Sequence, residues 1–327
     1  MIKNFKILTI GGSTMDIMFG LPHEKIIRQK DKSGFQEWLV FELGSKIVSR
    51  NVVYTCGGGA ANTAVSFSKL GFKTGILSSI GNDASAQMLV QQFKKQKVDI
   101  SLLQQQPSYT AMSFIVTGGR KKEHVIFKHQ LANDLLKVSQ AELKKINCQW
   151  YYVSSLSGDR WQNNLTAIYQ NAKSKKIKVA WNPGQIQLDA GFKILKKYLS
   201  QTEVLLLNRR EASQLVSSSG VKTSDYEKLA KTILSWGVKI VSITEGDKGA
   251  YLATVNFHKF LKAFKVKEQN TTGAGDAFGS SLIGGLILYN YDLDKAQRLA
   301  MARSTEVVRR VGAQAGLVSL KDLKIKI

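Results

Sequence analysis

A short segment that combines glycines with one carboxylate gives the clearest chemical signal in this 327-residue sequence. Residues 270–278 read Asn-Thr-Thr-Gly-Ala-Gly-Asp-Ala-Phe, and an apolar run that predicts a helix follows. Such a turn leaves the backbone N–H groups of Gly273, Ala274 and Gly275 unpaired at a helix N-terminus, where free donors and the helix dipole favour an anion. A carboxylate beside an anion is unfavourable unless it acts on the substrate. Asp276 is therefore predicted to be a general base that accepts a proton from a hydroxyl group.

A second glycine-rich turn, with the sequence Cys-Gly-Gly-Gly-Ala-Ala-Asn at residues 56–62, precedes another predicted helix. Gly57 and Gly58 can adopt dihedral angles that other residues avoid, so a ligand can approach the backbone there, or the turn can act as a hinge. Asn62, one turn into the helix, both donates and accepts hydrogen bonds, which suits a substrate with several hydroxyl groups. The turn matches neither the dinucleotide-binding fingerprint nor a Walker phosphate loop.

Polar residues follow two other predicted strands, at the strand ends that border the ligand crevice of an α/β sheet. Asp16 comes soon after the first strand and could bind two sugar hydroxyls or cap a turn. Asn208 and Glu211 follow a later strand and lie on one face of a first helical turn. They could orient water around Mg²⁺, and their spacing is also that of a helix-capping box, so both roles are open.

The segment Thr-Glu-Gly-Asp-Lys-Gly at residues 244–249 follows one more predicted strand. It predicts either a turn that contacts a nucleotide or a simple hairpin, and its spacing favours the hairpin. The four histidines are dispersed along the chain, so neither a catalytic triad nor a histidine metal site is predicted.

The composition is that of a globular protein with an unusual charge. Hydrophobic residues make up 43% of the chain, and two cysteines without neighbouring metal ligands predict free thiols in a reducing cytoplasm. No apolar run is long enough to predict a membrane span. The net charge of +23 would suit a nucleic-acid partner. The lysines are scattered and lack interleaved aromatic residues, however, which favours a basic surface without such a partner.

Strand and helix patterns alternate along most of the chain, which predicts a parallel sheet covered by helices on both faces. The predicted strands are 5–10, 74–80, 150–154, 177–181, 204–207 and 238–244. The predicted helices are 60–70, 84–97, 162–174, 209–216, 225–236, 276–289 and 294–310. Two stretches without a helix signal, 19–55 and 109–128, predict a small β lid, so that 1–18, 56–108 and 129–327 form the α/β body. The exposed edge of such a lid would favour a homodimer through lid pairing.

These motifs, in this order and at this spacing, resemble those of the ribokinase-like carbohydrate kinases, also called the phosphofructokinase B family. The two signature regions of the family are similar to residues 57–71 and 270–286, and its Asn-x-x-Glu element is similar to Asn208 and Glu211 between them. The resemblance extends over essentially the whole chain. It implies a three-layer α/β/α Rossmann-like body with a small β-sheet lid, and MgATP-dependent phosphorylation of a primary hydroxyl group.

The resemblance also implies a role for each motif residue. The catalytic centre would comprise the base Asp276 and the amides of Gly273, Ala274 and Gly275. The substrate would be bound by Asp16, Gly57, Gly58 and Asn62. ATP and Mg²⁺ would be bound by Asn208, Glu211, Thr244, Gly246, Gly249 and Thr272, with Glu211 reaching the metal through water.

Three departures from the family pattern bear on these roles. Asn270 stands where the family usually has Asp, at a position associated with a monovalent-cation site in ribokinase. Because an amide is a weaker cation ligand, activation by K⁺ is an open question. Met301 and Arg303 stand near the expected adenine wall in place of smaller or amide residues, which predicts an altered nucleotide pocket. Thr14 stands where an Asn is frequent on the sugar side, which loosens the inference to ribose.

The leading hypothesis is an ATP-dependent kinase of a small sugar. A nucleoside kinase is the main alternative, because aromatic residues of the lid could stack on a base. The candidates for that stacking are Trp38, Phe41, Phe114 and Phe127. A non-catalytic, basic nucleic-acid-binding protein on the same fold is a third hypothesis, which the intact Gly-Ala-Gly-Asp motif opposes.

Overall fold

The computed structural model describes residues 2–21, 25–31, 34–49, 51–118 and 123–325. The strands are β1 (Lys3–Asn4), β2 (Ile7–Ile10), β3 (Thr14–Gly20), β4 (Lys25–Asp31), β5 (Gly34–Val40), β6 (Asn51–Gly57), β7 (Thr74–Leu77), β8 (Ser79–Ile80), β9 (Gln104–Gln105), β10 (Ala111–Gly118), β11 (Glu123–His129), β12 (Ile146–Asn147), β13 (Trp150–Val153), β14 (Lys178–Trp181), β15 (Val204–Asn208), β16 (Ile240–Thr244), β17 (Gly249–Ala253) and β18 (His258–Lys262). The α-helices are α1 (Gly59–Lys69), α2 (Ala84–Lys95), α3 (Gln140–Lys144), α4 (Trp161–Lys175), α5 (Gln185–Leu199), α6 (Arg209–Ser217), α7 (Tyr226–Ser235), α8 (Ala274–Leu288) and α9 (Leu293–Val308). Short 3₁₀ helices lie at Leu131–Leu135 and Gly246–Lys248.

The larger sheet has eight strands in the order β18–β17–β16–β15–β14–β13–β2–β7. The strands from β16 to β7 in this order are parallel, and they overlap the six predicted strands. β17 and β18 are antiparallel, so the sheet that the alternation predicted to be parallel is mixed at one edge, where the spacing of residues 244–249 favoured a hairpin. β17 is antiparallel to β16 because the connection between them, at Gly246–Lys248, is short. A parallel arrangement would need a crossover of a dozen or more residues.

Side chains alternate between the two faces of this sheet, and helices cover both faces. In β15, Leu205 and Leu207 belong to the core that is shared with α4 to α7. Val204 and Leu206, on the other face, belong to the core that is shared with α1, α8 and α9. Two apolar cores therefore lie on opposite sides of one sheet, which confirms the predicted three-layer α/β/α class.

Helix α5 was not predicted, although it buries Leu188, Leu195 and Leu199 in one of the two cores. Gly191 interrupts it with a non-helical backbone (φ 72°, ψ 173°), so each half shows only about two turns of periodic pattern. Like every other helix in the described ranges, α5 lacks the length and apolar content that a membrane span requires.

The smaller sheet has four strands in the order β11–β10–β3–β6, with β3 and β10 parallel and the other pairs antiparallel. β3 begins at Thr14, shortly after β2 ends at Ile10, so the chain passes directly from the larger sheet into the smaller one. The smaller sheet also includes Gly57 and His129, which the predicted division assigned to the body together with Thr14. The division into domains stays a prediction.

Candidate active site

The turn before helix α8 has a backbone conformation that favours glycine. The carbonyl oxygen of Thr271 accepts a hydrogen bond from the N–H of Ala274 at 3.2 Å, and Gly273 between them has φ 81° and ψ −2°. These are the angles of the third residue of a type II turn, where glycine is preferred. A methyl group at Gly273 would also lie 2.5 Å from Cβ of Ala313. The first glycine of the motif is therefore required by the turn and by its neighbour.

This turn corrects one detail of the predicted anion site. The N–H of Ala274 closes the turn and is not free, whereas the amides of Gly273 and Gly275 donate to no acceptor in the described part of the chain. A methyl group at Gly275 would meet no heavy atom within 4 Å. Because α8 begins here, the helix dipole adds partial positive charge beside the two amides, which favours an anion. The N-terminus of α8 thus offers two donors and open space to an anion.

Asp276 follows directly, and burial together with its polar and charged neighbours controls the pKa of its carboxyl group. Nδ2 of Asn62 donates a hydrogen bond to Oδ2 of Asp276 at 2.8 Å. Burial raises the pKa of Asp276 to about 6, while the hydrogen bond from Asn62 and the charge of Lys128 lower this pKa and the charge of Asp16 raises it. A carboxyl group with this pKa is largely ionised at neutral pH and is basic enough to accept a proton in a transition state.

Asp276 faces a first cavity of about 180 Å³ that the two sheets enclose together. The smaller sheet contributes Asp16 and Lys128 to its wall, and the body contributes Gly58 and Asn62. Asp16 is 5% exposed, and burial raises the pKa of its carboxyl group. Carboxylates and an amide thus line a small, partly open space, which suits a ligand with several hydroxyl groups.

The glycines of the second motif make room for the protein's own atoms. A methyl group at Gly57 would lie 2.0 Å from Oδ2 of Asp16, and a methyl group at Gly58 would lie 2.5 Å from the carbonyl oxygen of Gly12. Gly58 also has φ 94°, which favours glycine. Gly58 lines the first cavity, whereas Gly57 lies behind Asp16 and outside the cavity wall. Gly57 therefore acts at this site through the carboxylate that it accommodates.

A second cavity of about 410 Å³ adjoins the first, and Lys128, Gly273 and Asp276 line both. Asn208 and Glu211 also line the second cavity. Oδ1 of Asn208 accepts from the N–H of Glu211 at 2.9 Å, and Oε2 of Glu211 accepts from the N–H of Asn208 at 2.8 Å. The capping box that the spacing allowed is present, and it holds both side chains at the cavity wall.

The donor set of the second cavity fits a metal ion that keeps much of its water. Across the described ranges, no group of three or more His, Cys, Asp or Glu side chains is arranged to hold a metal. One carboxylate and one amide are a small set, of the kind that Mg²⁺ supplements with water and phosphate oxygens. Burial raises the pKa of Glu211, so a cation beside this carboxylate would be favourable, and its Oε1 is not used in the capping box. Asn208 and Glu211 therefore fit Mg²⁺.

A third cavity of about 800 Å³ shares Thr244 and Gly275 with the second. Gly246 and Gly249, at the β16–β17 turn, line the third cavity, and Met301 of α9 lines it too. The hairpin favoured by the sequence is therefore observed, and it borders a cavity large enough for a nucleotide.

Arg303, which was expected near this cavity, lies elsewhere. Its guanidinium group is fully buried and donates to the hydroxyl groups of Ser66 and Ser281 and to the carbonyl oxygen of Val318. Residues two apart on a helix point in different directions, so Met301 reaches the cavity while Arg303 faces away. The expectation that Arg303 alters the nucleotide pocket was wrong.

Asn270 and Thr272 lie in the turn before α8. Asn270 is buried, and its Oδ1 accepts from the N–H of Thr272 at 3.0 Å, which stabilises the turn. Asn270 is absent from the described walls of all three cavities, and Thr272 lines the first cavity rather than the third. A monovalent cation at Asn270 and contact of Thr272 with ATP both stay predictions.

The aromatic residues proposed to stack on a base do not line the first cavity. Ser113 and Ile115 of β10 line it, so Phe114 between them lies on the opposite face of the sheet. Phe127 is the cross-strand partner of Phe114 and is exposed. The other two candidates, Trp38 and Phe41, are exposed as well. Within the described ranges, the wall of the first cavity contains no aromatic ring.

Sequence reasoning missed much of the wall of the first cavity, including the polar side chains of Lys128 and Asn133. The charge of Lys128 lowers the pKa values of Asp16, Glu211 and Asp276, so this lysine acts on both adjoining cavities. Its signal in the sequence was weak, because a lysine in an alternating strand usually faces solvent. Only the pairing of β11 with β10 brings it over Asp276.

Known proteins share this fold. The sequence model of the pfkB family of carbohydrate kinases matches residues 29–320 of this chain. A ribokinase of Haemophilus influenzae is 26% identical over 290 residues, which cover 85% of this chain and 89% of that protein. The structure of Arabidopsis thaliana ribokinase complexed with ribose and ATP has a TM-score of 0.79 at 18% identity, and the match covers 99% of this chain and 100% of that one. The structure of a Burkholderia thailandensis nucleoside kinase in complex with inosine also has a TM-score of 0.79 at 18% identity, over 97% of this chain and 96% of that one.

The similarity to these solved structures shows a ribokinase-like fold, and the family match extends over most of the chain. The motifs that were predicted from the sequence lie at the cavities of this fold. The chain therefore belongs to the pfkB family of carbohydrate kinases, which confirms the predicted enzyme class, an ATP-dependent kinase.

Proposed function

We propose that the protein transfers the terminal phosphoryl group of ATP to a primary hydroxyl group of a small sugar. The position of Asp276 supports this most strongly, because its carboxylate lines both the first cavity and the second. A sugar in the first cavity and a triphosphate in the second would meet at this residue. The third cavity would then receive the nucleoside part of ATP.

In this mechanism Asp276 accepts the proton of the attacking hydroxyl group while the bond from its oxygen to phosphorus forms. The bond from phosphorus to the leaving oxygen breaks, and ADP keeps the electron pair of that bond. The amides of Gly273 and Gly275 stabilise the negative charge of the phosphoryl oxygens. Lys128, which lines both cavities, adds a positive charge from the lid.

Asn208 and Glu211 would hold Mg²⁺ in the second cavity, with Glu211 acting through water. When bound, this ion neutralises charge on the phosphate oxygens. The capping box holds both side chains before any ligand arrives, which avoids a cost of ordering them on binding. Thr244, Gly246 and Gly249 would contact ATP along the third cavity, and Thr272 would contact the transferred group.

A small sugar suits the first cavity better than a nucleoside. Its volume of about 180 Å³ is small for a ligand with a base, and its described wall offers polar groups such as Asp16 and Asn62 without an aromatic ring. A nucleoside remains the second candidate, because the structurally similar B. thailandensis enzyme was solved in complex with inosine. Movement of the lid could enlarge the cavity for such a ligand.

Release of ADP with a panel of pentoses, hexoses and nucleosides, with and without K⁺, tests this proposal. We expect release with a sugar, and a loss of about 10²–10⁴ in turnover for Asp276→Asn. Asp159→Asn, at an exposed aspartate, is the matched control and should have normal turnover. Unchanged turnover in Asp276→Asn would refute the mechanism, and ADP release with nucleosides alone would favour the second candidate.

We also propose that the protein forms a homodimer through the lid. Tyr54, Phe114 and Phe127 are 59%, 38% and 57% exposed on the smaller sheet, and a second copy could cover them. Light scattering should report a dimer for the natural chain and a monomer for Phe127→Ser. A natural chain that is monomeric at high concentration would contradict the dimer. A cytoplasmic location and the absence of a nucleic-acid partner stay predictions.

A further inference from the structure

Three side-chain amides form a hydrogen-bonded row that ends on Asp276. Nε2 of Gln92 donates to Oε1 of Gln314 at 2.9 Å. Nε2 of Gln314 donates to Oδ1 of Asn62 at 3.1 Å, and Nδ2 of Asn62 donates to Oδ2 of Asp276 at 2.8 Å. The row joins helix α2, the segment after α9, helix α1 and helix α8.

Every bond in this row points the same way, and the carboxylate determines that direction. Ionised Asp276 can only accept, so Asn62 must turn its NH₂ group towards it. The carbonyl oxygen of Asn62 then faces the opposite way and needs a donor, which is the NH₂ group of Gln314. When Asp276 is protonated, an isolated Asn62 could rotate its amide by half a turn and accept a hydrogen bond from the carboxyl group. The NH₂ group of Gln314 disfavours this rotation, because it already donates to Oδ1 of Asn62.

The segment that contains Gln314 is closely packed. A methyl group at Gly316 would lie 2.4 Å from the carbonyl oxygen of Glu306 in α9, and Ala313 and Leu317 are buried. Ala313 lies against Gly273, so neighbouring residues of one segment contact the glycine turn and, through Asn62, the carboxylate. Gln314 is thus held at a defined distance from Asn62.

We propose that Gln314 is a positioning residue, which with Gln92 keeps the amide of Asn62 oriented as a donor to the carboxylate of Asp276. This inference rests on the proposed function only in calling Asp276 the base. The second hydrogen of the Asn62 NH₂ group is left for a substrate hydroxyl, so the same orientation would align the base and the substrate.

Other charged or titratable groups near Asp276 come from different elements. Lys128 approaches from β11, Asp16 from β3, and the buried hydroxyl group of Tyr152 from β13. Arg303 of α9 is occupied with Ser66, Ser281 and Val318. None of these groups belongs to the amide row, so a change at Gln314 can reach Asp276 through Asn62 without altering them.

The test is a ¹³C NMR titration of the Asp276 carboxyl carbon, with the resonance assigned by Asp276→Asn. Gln314→Met removes the donor to Asn62 without adding charge, and we expect the pKa of Asp276 to rise by about one pH unit. In an Asn62→Leu background, Gln314→Met should not change the pKa of Asp276 any further, because Gln314 acts through Asn62. The acid limb of the pH–turnover profile should move with the titration.

Gln91→Met is the matched control, because Gln91 neighbours Gln92 on α2, is exposed and lies outside the row. It should leave the titration of Asp276 unchanged. A folded Gln314→Met protein with an unchanged titration would overturn the proposal, as would a shift that persists in the Asn62→Leu background. If the Gln314→Met protein does not fold, the same titration of Gln92→Met tests the proposal. We expect a smaller rise in the pKa of Asp276 for this variant, and an unchanged pKa would contradict the amide row.

The titration separates this inference from the proposed function. Normal turnover in Asp276→Asn would remove the role of base and leave the amide row intact. Lost turnover in Asp276→Asn, together with an unshifted titration in Gln314→Met, would overturn the amide row alone.

Discussion

The two glycine-rich turns of this protein look alike in sequence and differ in what the glycines are for. In the turn before α1, a methyl group at Gly57 would collide with Asp16, and one at Gly58 would collide with the carbonyl oxygen of Gly12. In the turn before α8, a methyl group at Gly275 would meet open space. The first turn uses these two glycines to fit the protein's own atoms. In the second turn Gly273 likewise makes room for Ala313, and it is Gly275 that keeps space beside the amides for a ligand.

This difference means that stability and activity should respond separately in the two turns. A substitution in the first turn forces a buried carboxylate or the backbone to move. A substitution at Gly275 leaves the packing intact and changes only the space for an anion.

Gly57→Ala should lower the free energy of unfolding by about 1–3 kcal/mol, because the added methyl group would overlap Asp16. Urea unfolding measures this, and the KM for the sugar should rise because Asp16 moves. A variant as stable as the natural protein, with an unchanged KM, would show that the turn relaxes freely and would remove the contrast between the two turns.

Asp276→Asn should raise the free energy of unfolding by about 1–2 kcal/mol at pH 8, although we expect it to abolish most turnover. Burial raises the pKa of Asp276 to about 6, so the folded protein binds this proton more tightly than the unfolded chain does. Ionisation of Asp276 therefore lowers stability as the pH rises from about 4 to about 6, and the loss is complete above that range.

Denaturant unfolding of both proteins at pH 4 and pH 8 checks this. The gain from Asp276→Asn should be present at pH 8 and nearly absent at pH 4, where the natural carboxyl group is protonated. An equal gain at both pH values would show that ionisation of the carboxylate is not its source.

Gly275→Ala should reduce kcat/KM for ATP by about tenfold, which corresponds to about 1.4 kcal/mol. The methyl group would occupy space beside the amides, and stability should be unchanged or rise by up to about 1 kcal/mol, because alanine favours a helix over glycine. Steady-state kinetics and thermal unfolding of the same preparation measure both. A loss of stability as large as that of Gly57→Ala would show that both turns are packing devices.

Much of the fold could be predicted because its signals are local. Apolar runs such as 204–207 and 238–244 identify buried parallel strands, and the longer apolar run of α8 located that buried helix to within a few residues. Helix α5 was missed because Gly191 divides its pattern. The edge strands β17 and β18 were not among the predicted strands, although the spacing of residues 244–249 favoured the hairpin that makes β17 antiparallel to β16.

The site was predictable where one segment holds the chemistry and unpredictable where several meet. Gly273, Gly275 and Asp276 are neighbours in the chain, so their geometry follows from a single turn. Lys128 and Gln314 reach Asp276 or its partner Asn62 from distant parts of the sequence, and nothing in their local patterns indicates it. Arg303 is the opposite case. Its position in the sequence suggested a place at the nucleotide cavity, but on helix α9 its side chain points into the core.

The sequence by itself determined the kinase family, the α/β/α class and the turn that presents Asp276, because glycine spacing and apolar periodicity act over a few residues. The tertiary structure alone decided which amides stay free, what charge surrounds the carboxylate, and which residue orients Asn62. Burial and hydrogen bonds control the pKa of Asp276, and both arise only when β3, β11, α1 and the segment after α9 pack around the start of α8.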